Sequence, residues 1–303
     1  MKVRFWGVRG SIPVPGGETS RYGGNTSCLE VTAAEDHPLV LDCGTGARAL
    51  GRDLVLRQAS DVEILFTHFH MDHLFGFPFF GPIFSPNFRV NVGVPSYSGM
   101  DAQDKLGRYL NGIYHPLRIH DIAARLAFQG VRPGRPFERG PYEILGVSLN
   151  HPGGACGYRI NANGRSVVYL TDTAPLARPD EGLCADKLPP PPERKVLEIL
   201  AGADLLIMDT MFSWEEYLVK MTWGHAYPEY AVRMGATAGV KNICLFHHAP
   251  DASDDALDKL SARWAEHDGP RVFLAREGMT VDLTGGALAL EQASQEGSVD
   301  LEG

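Results

Sequence analysis

Three histidines and an aspartate lie within six residues of this chain, directly after a short apolar run. The segment covers residues 67–73, reads T-H-F-H-M-D-H, and follows Ile64–Phe66, which has the character of a buried strand. Imidazole and carboxylate groups are ligands that suit zinc and similar divalent ions. In an extended loop the first two histidines face one side, and the aspartate and the last histidine can turn toward another, so one segment can serve two metal ions. The candidate ligands are His68, His70, Asp72 and His73.

A single loop cannot complete two metal sites, so further ligands must come from other parts of the chain. Polar side chains that follow apolar strands are the natural candidates, because open sheets place their functional sites at strand ends that face one cleft. Each such side chain, taken alone, can instead bond the neighbouring backbone. The candidates are His151 after Tyr142–Leu149, Asp172 after Val167–Leu170, and His247 after Ile243–Phe246.

The order of apolar runs and helical patterns predicts a layered α/β fold. Strand-like runs outnumber helices in the first half of the chain, whereas helices alternate with strands in the second half. This mixture favours two facing sheets with helices outside over a barrel or a doubly wound sheet. Residues 78–140 are rich in proline, glycine and aromatic side chains and are predicted to form an irregular insertion within a domain that covers residues 1–285. Residues 286–303 are predicted to form a polar C-terminal tail.

Composition narrows the class of protein further. The 303 residues are 44% hydrophobic and 21% charged, which is typical of a soluble globular protein. The formal net charge of −9 provides no global basic field, so local cations or metal ions must hold an anionic substrate. The five cysteines are scattered, without a C-x-x-C pair, which argues against a disulfide framework. We find no signal-peptide-like or membrane-spanning stretch and therefore expect a cytoplasmic protein that does not bind membranes.

The order of these motifs, preceded by D-C-G-T-G at residues 42–46, resembles the metal-dependent hydrolases of the metallo-β-lactamase fold. The resemblance covers nearly the whole chain and implies a four-layer αββα sandwich. It also implies that Asp42 supports the histidine loop from outside the metal site. The ligand sets that it implies are His68, His70 and His151 for one metal ion, Asp72, His73 and His247 for the other, and Asp172 as a bridge between them.

A narrower resemblance is to the phosphodiesterase branch of that family, which includes tRNA 3′-end processing endonucleases and cyclic-nucleotide phosphodiesterase-like proteins. It implies that His225 contacts the scissile phosphate and helps the leaving group depart. The chain differs from the endonucleases after this histidine, where A-Y-P provides no adjacent carboxylate. The resemblance is carried by W-G-H at 223–225, G-V-K at 239–241 and L-F-H at 245–247, with G-V-R-G-S at 7–11 and G-G-N-T-S-C at 23–28.

The predicted chemistry is hydrolysis of a phosphodiester by a metal-activated hydroxide. Two divalent ions, most simply zinc although manganese and iron accept the same ligands, lower the pKa of bound water and clamp the phosphate. The candidate catalytic residues are His225, as a general acid, and Asp72. Asn25 is a candidate substrate ligand together with His225, unless its Gly-Gly-Asn segment is a plain turn.

The expected substrate is a small anionic phosphodiester such as a cyclic nucleotide. One alternative is a tRNA 3′-end processing endonuclease, but the charges between Asp172 and His225 are mixed rather than basic, which argues against a nucleic-acid partner. Another is a thioester or lactone hydrolase, which shares the metal ligands and leaves His225 without a role. A non-enzymatic metal sensor is a third alternative, and the sequence leaves a homodimer open.

Overall fold

Two mixed β-sheets pack face to face in the computed structural model, which describes residues 1–34, 37–96, 102–176, 191–285 and 288–292. The strands are β1 (Lys2–Gly7), β2 (Cys28–Thr32), β3 (Leu39–Leu41), β4 (Asp61–Leu65), β5 (Arg89–Pro95), β6 (Arg125–Val131), β7 (Pro136–Arg139), β8 (Tyr142–Leu149), β9 (Ala155–Ala162), β10 (Arg165–Leu170), β11 (Leu205–Asp209), β12 (Asn242–Phe246), β13 (Arg271–Leu274), β14 (Met279–Asp282) and β15 (Ala289–Gln292). One sheet has the order β15-β14-β1-β2-β3-β4-β5-β6, and the other has the order β13-β12-β11-β10-β9-β8-β7.

Helices cover the outer face of each sheet. They are α1 (Ala47–Leu56), α2 (Met71–Leu74), α3 (Ala102–Tyr109), α4 (Pro191–Leu200), α5 (Trp214–Lys220), α6 (Pro228–Thr237) and α7 (Asp254–Ala265). Short 3₁₀ turns lie at Gly17–Thr19, Phe77–Phe79, Gly81–Phe84, Ile119–Asp121 and Met221–Trp223. Among the described residues, no helix is long and apolar enough to cross a membrane.

Three apolar cores hold these layers together. Phe5, Tyr169 and Phe246 belong to the central core between the two sheets. A second core joins α1 and α3 to the outer face of the eight-stranded sheet, and a third joins α4, α6 and α7 to the outer face of the other. The predicted four-layer αββα sandwich is therefore confirmed.

Parallel pairing in the seven-stranded sheet brings several strand ends to one edge. β10, β11, β12 and β13 run parallel, and all five residues of β11 are buried, as expected for a strand covered on both faces. Because these strands run parallel, the carboxyl ends of β10, β11 and β12 meet at the same edge. In the other sheet β3 and β4 also run parallel.

The prediction of an irregular insertion at residues 78–140 is wrong in part. β5 and β6 lie within it and extend the eight-stranded sheet in parallel with β4. In β5 the side chains of Val90, Val92 and Val94 are buried, so the alternation typical of a strand is present but is shortened by Gly93 and Pro95.

The predicted C-terminal tail at residues 286–303 also begins too early, because β15 pairs with β14. Elsewhere in that segment, residues 286–287 and 293–303 lie outside the described residues. Cys184 lies outside them as well, whereas Cys28, Cys43, Cys156 and Cys244 are buried.

Candidate metal centre and active site

The seven predicted metal ligands meet at one edge of the sandwich. The histidine loop follows β4, and the remaining ligands follow β8, β10 and β12. Asp172 and His247 adopt left-handed backbone angles, with φ of 51° and 61°, which lets the chain turn sharply where each strand ends. Such conformations cost of the order of 1–3 kcal/mol for residues other than glycine and are concentrated at functional sites.

The first cluster comprises His68, His70, His151 and Asp172, with one donor atom from each residue and all of these atoms within 4.8 Å of one another. The Nε2 atoms of His68 and His151 lie 3.6 and 3.7 Å from Oδ2 of Asp172. His151 donates a hydrogen bond from Nδ1 to the carbonyl of Gly224 at 2.9 Å, so its Nε2 faces the cluster. His70 is the exposed member, and the cluster therefore opens to solvent on its side.

The second cluster comprises Asp72, His73, Asp172 and His247. Oδ1 of Asp172 lies 3.0 Å from Nε2 of His73 and 3.2 Å from Nε2 of His247. The same His247 nitrogen lies 3.2 Å from Oδ2 of Asp72. Asp172 thus directs one carboxylate oxygen to each cluster, which is the arrangement that a bridging ligand requires.

The residues of both clusters fit divalent metal ions. Nε2 of His68 and Nε2 of His73 are buried without a hydrogen-bond partner, although buried polar atoms in proteins are nearly always paired. These are the atoms that a metal ion would bind. A donor set of imidazoles and carboxylates, with the first cluster reaching solvent at one side, suits a catalytic zinc site.

The protonation states of the three histidines in the first cluster also favour metal binding, whereas in the second cluster Asp172, Asp72 and Asp42 outweigh burial and raise the pKa of His73 well above its ordinary value. Burial lowers the pKa of His68, His70 and His151 and keeps these imidazoles neutral, the form that binds a metal. Burial opposes ionisation of Asp72 and Asp172, but His73 and His247 hold the pKa of both carboxyls well below the ordinary value. Both aspartates are therefore carboxylates at neutral pH.

Asp42 supports the histidine loop from behind, as the sequence predicted. This buried carboxylate accepts hydrogen bonds from the backbone N of Thr67 at 2.7 Å, Nδ1 of His73 at 2.9 Å and the hydroxyl of Tyr169 at 3.0 Å. Since His73 donates from Nδ1 to Asp42, its Nε2 is directed at the second cluster. An outer carboxylate of this kind fixes both the ring orientation and the tautomer of a ligating histidine.

His225 lies beside the clusters and is paired with a carboxylate that the sequence analysis missed. Its Nδ1 donates to Oδ2 of Asp209 at 2.8 Å. Its ring stacks on His247, with centroids 5.2 Å apart, and meets Phe212 edge to face at 5.5 Å. Although burial favours the neutral ring, Asp209 raises the pKa of His225 to about 9, so the imidazole is protonated at neutral pH.

Asp209 could have been found by the criterion that selected Asp172. It ends the apolar strand β11, at the same edge of the same sheet, and its side chain is fully buried. The carboxylate also accepts hydrogen bonds from the backbone N of Thr173 and of Met211. The carboxylate that is absent next to His225 in the sequence is thus provided by a neighbouring strand.

Gly224 was also missed. It adopts a φ of 88°, and a Cβ atom at this position would lie 2.3 Å from Nδ1 of His151. Only glycine allows the backbone carbonyl to approach the ligand this closely.

Asn25 is placed differently from the metal ligands. Its side-chain amide donates to the carboxylate of Glu277. Its backbone carbonyl accepts hydrogen bonds from the backbone N of Val8 and of Arg9. These contacts anchor the N-terminal loop, so we do not include Asn25 in the proposed site, and its role toward substrate remains a prediction.

The two adjacent histidines at the end of β12 point to opposite sides. His247 joins the second cluster, whereas Nε2 of His248 donates to the carbonyl of Ala275 at 2.9 Å. Burial lowers the pKa of His248 to about 3, so this ring is neutral and serves as a hydrogen-bond donor within the core.

This arrangement predicts different effects for the two alanine variants. His247→Ala removes a nitrogen donor of the second cluster and should lower the bound metal and the activity together. His248→Ala should retain the metal, because its ring faces away from both clusters. Elemental analysis of the two purified variants, alongside circular dichroism to verify folding, provides the measurement. Loss of metal from His248→Ala alone would show that the ligand at this strand end has been assigned to the wrong histidine.

This chain is similar in sequence to known proteins over most of its length. The profile of the Beta-lactamase superfamily domain matches residues 37–248. Ribonuclease Z from Synechococcus sp. strain WH7803 is 27% identical over an alignment that covers 94% of this chain and 97% of the relative. The chain therefore resembles a ribonuclease over nearly its whole length.

Solved structures agree with the fold. The alignment with the short form of human tRNase Z covers 93% of this chain and 99% of the tRNase Z chain, with a TM-score of 0.63 and 17% identity. The alignment with a diphosphatase from the PhnP family covers 96% of this chain and 99% of the diphosphatase, with a TM-score of 0.64 and 18% identity.

The prediction that argued against a nucleic-acid partner is overturned by the similarity to Ribonuclease Z. That prediction relied on net charge and on the mixed charges between Asp172 and His225. Within that segment, residues 177–190 lie outside the described part of the structure. The physical reason for the error is that metal ions and a few local cations can hold a phosphate without a basic field over the whole protein.

Proposed function

The chain belongs to the beta-lactamase superfamily, and on that basis we propose that this metal-dependent hydrolase is a phosphodiesterase that cleaves RNA, as a tRNA 3′-end processing endonuclease. The observation that carries the proposal is the pairing of His225 with Asp209 beside the metal ligands. The similarity to Ribonuclease Z supports RNA as the substrate class.

Hydrolysis of a phosphodiester requires a nucleophile at neutral pH, neutralisation of charge on the phosphoryl oxygens, and a proton for the leaving alkoxide. When bound, two divalent ions, which the donor set suggests are zinc, supply the first two requirements. The residues that would hold them are His68, His70 and His151 for one ion and Asp72, His73 and His247 for the other, with Asp172 shared.

His225 supplies the third requirement, the proton for the leaving alkoxide. Asp209 holds Nδ1 and keeps the ring protonated at neutral pH, which leaves Nε2 as the nitrogen that can reach a substrate. From Nε2 the proton passes to the ribose oxygen that leaves the phosphorus. General acid catalysis of this kind contributes about 10²–10⁴-fold to a rate.

Asp72 has a second role besides metal binding. The backbone N of Ser11 donates to its Oδ2 at 2.8 Å and fixes the carboxylate at the edge of the second cluster. Because the carboxyl is ionised, it can accept a hydrogen bond from the attacking water and orient that water toward the phosphorus.

The His225–Asp209 pair also separates this proposal from thioester hydrolysis. A thiolate leaves without a proton, so a thioesterase has no need of a protonated imidazole at this position. The pair thus favours cleavage of an ester whose leaving group is a poorly stabilised alkoxide.

A substrate panel tests the proposal. The metal-loaded protein would be given a precursor tRNA with a 3′ extension, a cyclic nucleotide and an acyl thioester at equal concentrations. We expect cleavage of the precursor tRNA with the highest kcat/KM. Hydrolysis of the cyclic nucleotide or of the thioester, with the RNA left intact, would overturn the proposed substrate class.

A further inference from the structure

An exposed tryptophan lies at the edge of the proposed active site. Trp223 stands two residues before His225, yet the residue is 61% exposed. Its ring meets Phe212 edge to face, with centroids 6.4 Å apart, and Phe212 in turn meets the ring of His225 at 5.5 Å. The indole is therefore connected to the catalytic histidine through one intervening aromatic ring.

The segment that carries this indole is fixed to a metal ligand. Trp223 ends the 3₁₀ turn Met221–Trp223, and the next residue is Gly224, whose carbonyl accepts the hydrogen bond from His151. The position of Trp223 is thus tied to the position of the first cluster. An exposed aromatic side chain on a firmly held turn presents its ring at little entropic cost.

A cation accompanies the exposed ring. Nζ of Lys220 lies 5.6 Å from the ring centre of Trp223 and 4.9 Å from that of Phe212. It also forms an ion pair with Glu216 at 3.4 Å, one turn earlier in α5. An aromatic ring beside an ammonium group is the combination that proteins use for single-stranded nucleic acid, because bases stack on the ring and the cation attracts the backbone phosphates.

We propose that Trp223 is the stacking surface for a nucleobase next to the scissile phosphate, with Lys220 facing a neighbouring phosphate of the same strand. This inference deepens the proposed function and rests on it. It explains why a large indole is exposed beside His225, and it assigns substrate recognition to a residue that is not needed for metal binding or for proton transfer.

Two kinds of substrate with one leaving group test the inference. The 5′ and 3′ 4-nitrophenyl phosphate esters of thymidine carry a base, and methyl 4-nitrophenyl phosphate does not. With the metal-loaded full chain, Trp223→Ala should raise KM by about tenfold for at least one thymidine ester. This is a typical loss of affinity when the stacking partner of one base is removed. KM for methyl 4-nitrophenyl phosphate should be unchanged in this variant. Trp223→Phe should retain most of the affinity for the thymidine ester.

Trp214→Ala provides a matched control. Trp214 is also partly exposed, but its ring packs against that of Tyr227, the residue before α6, with centroids 5.0 Å apart. This variant should leave KM for all three esters unchanged. An equal loss on the methyl ester in Trp223→Ala would show that the indole only supports the turn, and unchanged KM for both thymidine esters would remove it from substrate binding. A shift in sedimentation with no change in KM would assign the ring to a contact between protein chains instead.

A binding measurement distinguishes failure of the proposed function from failure of the inference about Trp223. If the wild-type protein hydrolyses none of the esters, calorimetric binding of thymidine 5′-monophosphate and of methyl phosphate still decides the inference. The wild-type protein should bind the nucleotide about tenfold more tightly than methyl phosphate, and Trp223→Ala should remove that difference. Equal preference for the nucleotide in both proteins would overturn the role of Trp223.

Discussion

Replacing Asp172 with alanine is expected to abolish activity and to release metal from both clusters. Its two carboxylate oxygens face different histidines, with Oδ1 3.0 Å from His73 and Oδ2 3.6 Å from His68. Bound metal ions contribute several kcal/mol to such reactions, and each 1.4 kcal/mol is tenfold in rate, so kcat/KM should fall by at least about 10³-fold. Elemental analysis and RNA cleavage, measured on the same sample, provide the test.

Asp204→Ala is the matched control for this variant. Asp204 lies just before β11, at the opposite edge of the same sheet, and its carboxylate pairs with Lys241 at 2.7 Å. The control removes a largely buried carboxylate without touching the clusters, so it should retain metal and activity. An Asp172→Ala protein that keeps both metals and most of its activity would contradict the bridging role.

His225→Ala is expected to lower kcat while sparing the metals. His225 is not one of the seven proposed metal ligands, and its Nδ1 is held by Asp209. For RNA or an alkyl phosphodiester, whose leaving alkoxide needs a proton, kcat should fall by about 10²-fold or more. The loss should be much smaller for a nitrophenyl ester, because nitrophenolate leaves without a proton. Asp209→Asn should act in the same direction, since it removes the carboxylate that orients and charges the ring.

The dependence on the leaving group distinguishes two roles for His225. An imidazole that only binds the phosphate would affect both kinds of ester equally, and mainly through KM. Unchanged activity on both substrates, with two metals still bound, would exclude His225 from the mechanism.

The proposed metal ligands were predictable because the segments that carry them follow apolar runs. Asp172 and His247 follow parallel strands of one sheet, and parallel strands bring their carboxyl ends to one edge, so the sequence order implies the spatial cluster. The histidine loop follows β4 in the facing sheet by the same logic. The pairing of His225 with Asp209 was not predicted, because the two residues are 16 positions apart and no local motif links them, although Asp209 itself marks the end of β11.

Other errors arose where long-range pairing outweighs local pattern. β5 lies between β4 and β6 in the sheet, although its sequence contains the strand-weakening Gly93 and Pro95. The second half of β15 is polar and all four of its residues are exposed, so its pairing with β14 gives it a strand conformation that hydrophobic periodicity does not reveal. The charge argument failed for a related reason, since net charge is a property of the whole chain and phosphate binding is local.

The most direct test of the proposed mechanism is to titrate chelator-treated protein with zinc while following cleavage of a precursor tRNA. The two clusters share Asp172 and offer ligands for two ions. We expect cleavage to be absent before metal is added and to increase until about two equivalents are bound, because the two-metal arrangement would supply both nucleophile and charge neutralisation. Cleavage that continues without metal, or RNA that stays intact at saturating zinc while another substrate is hydrolysed, would contradict it.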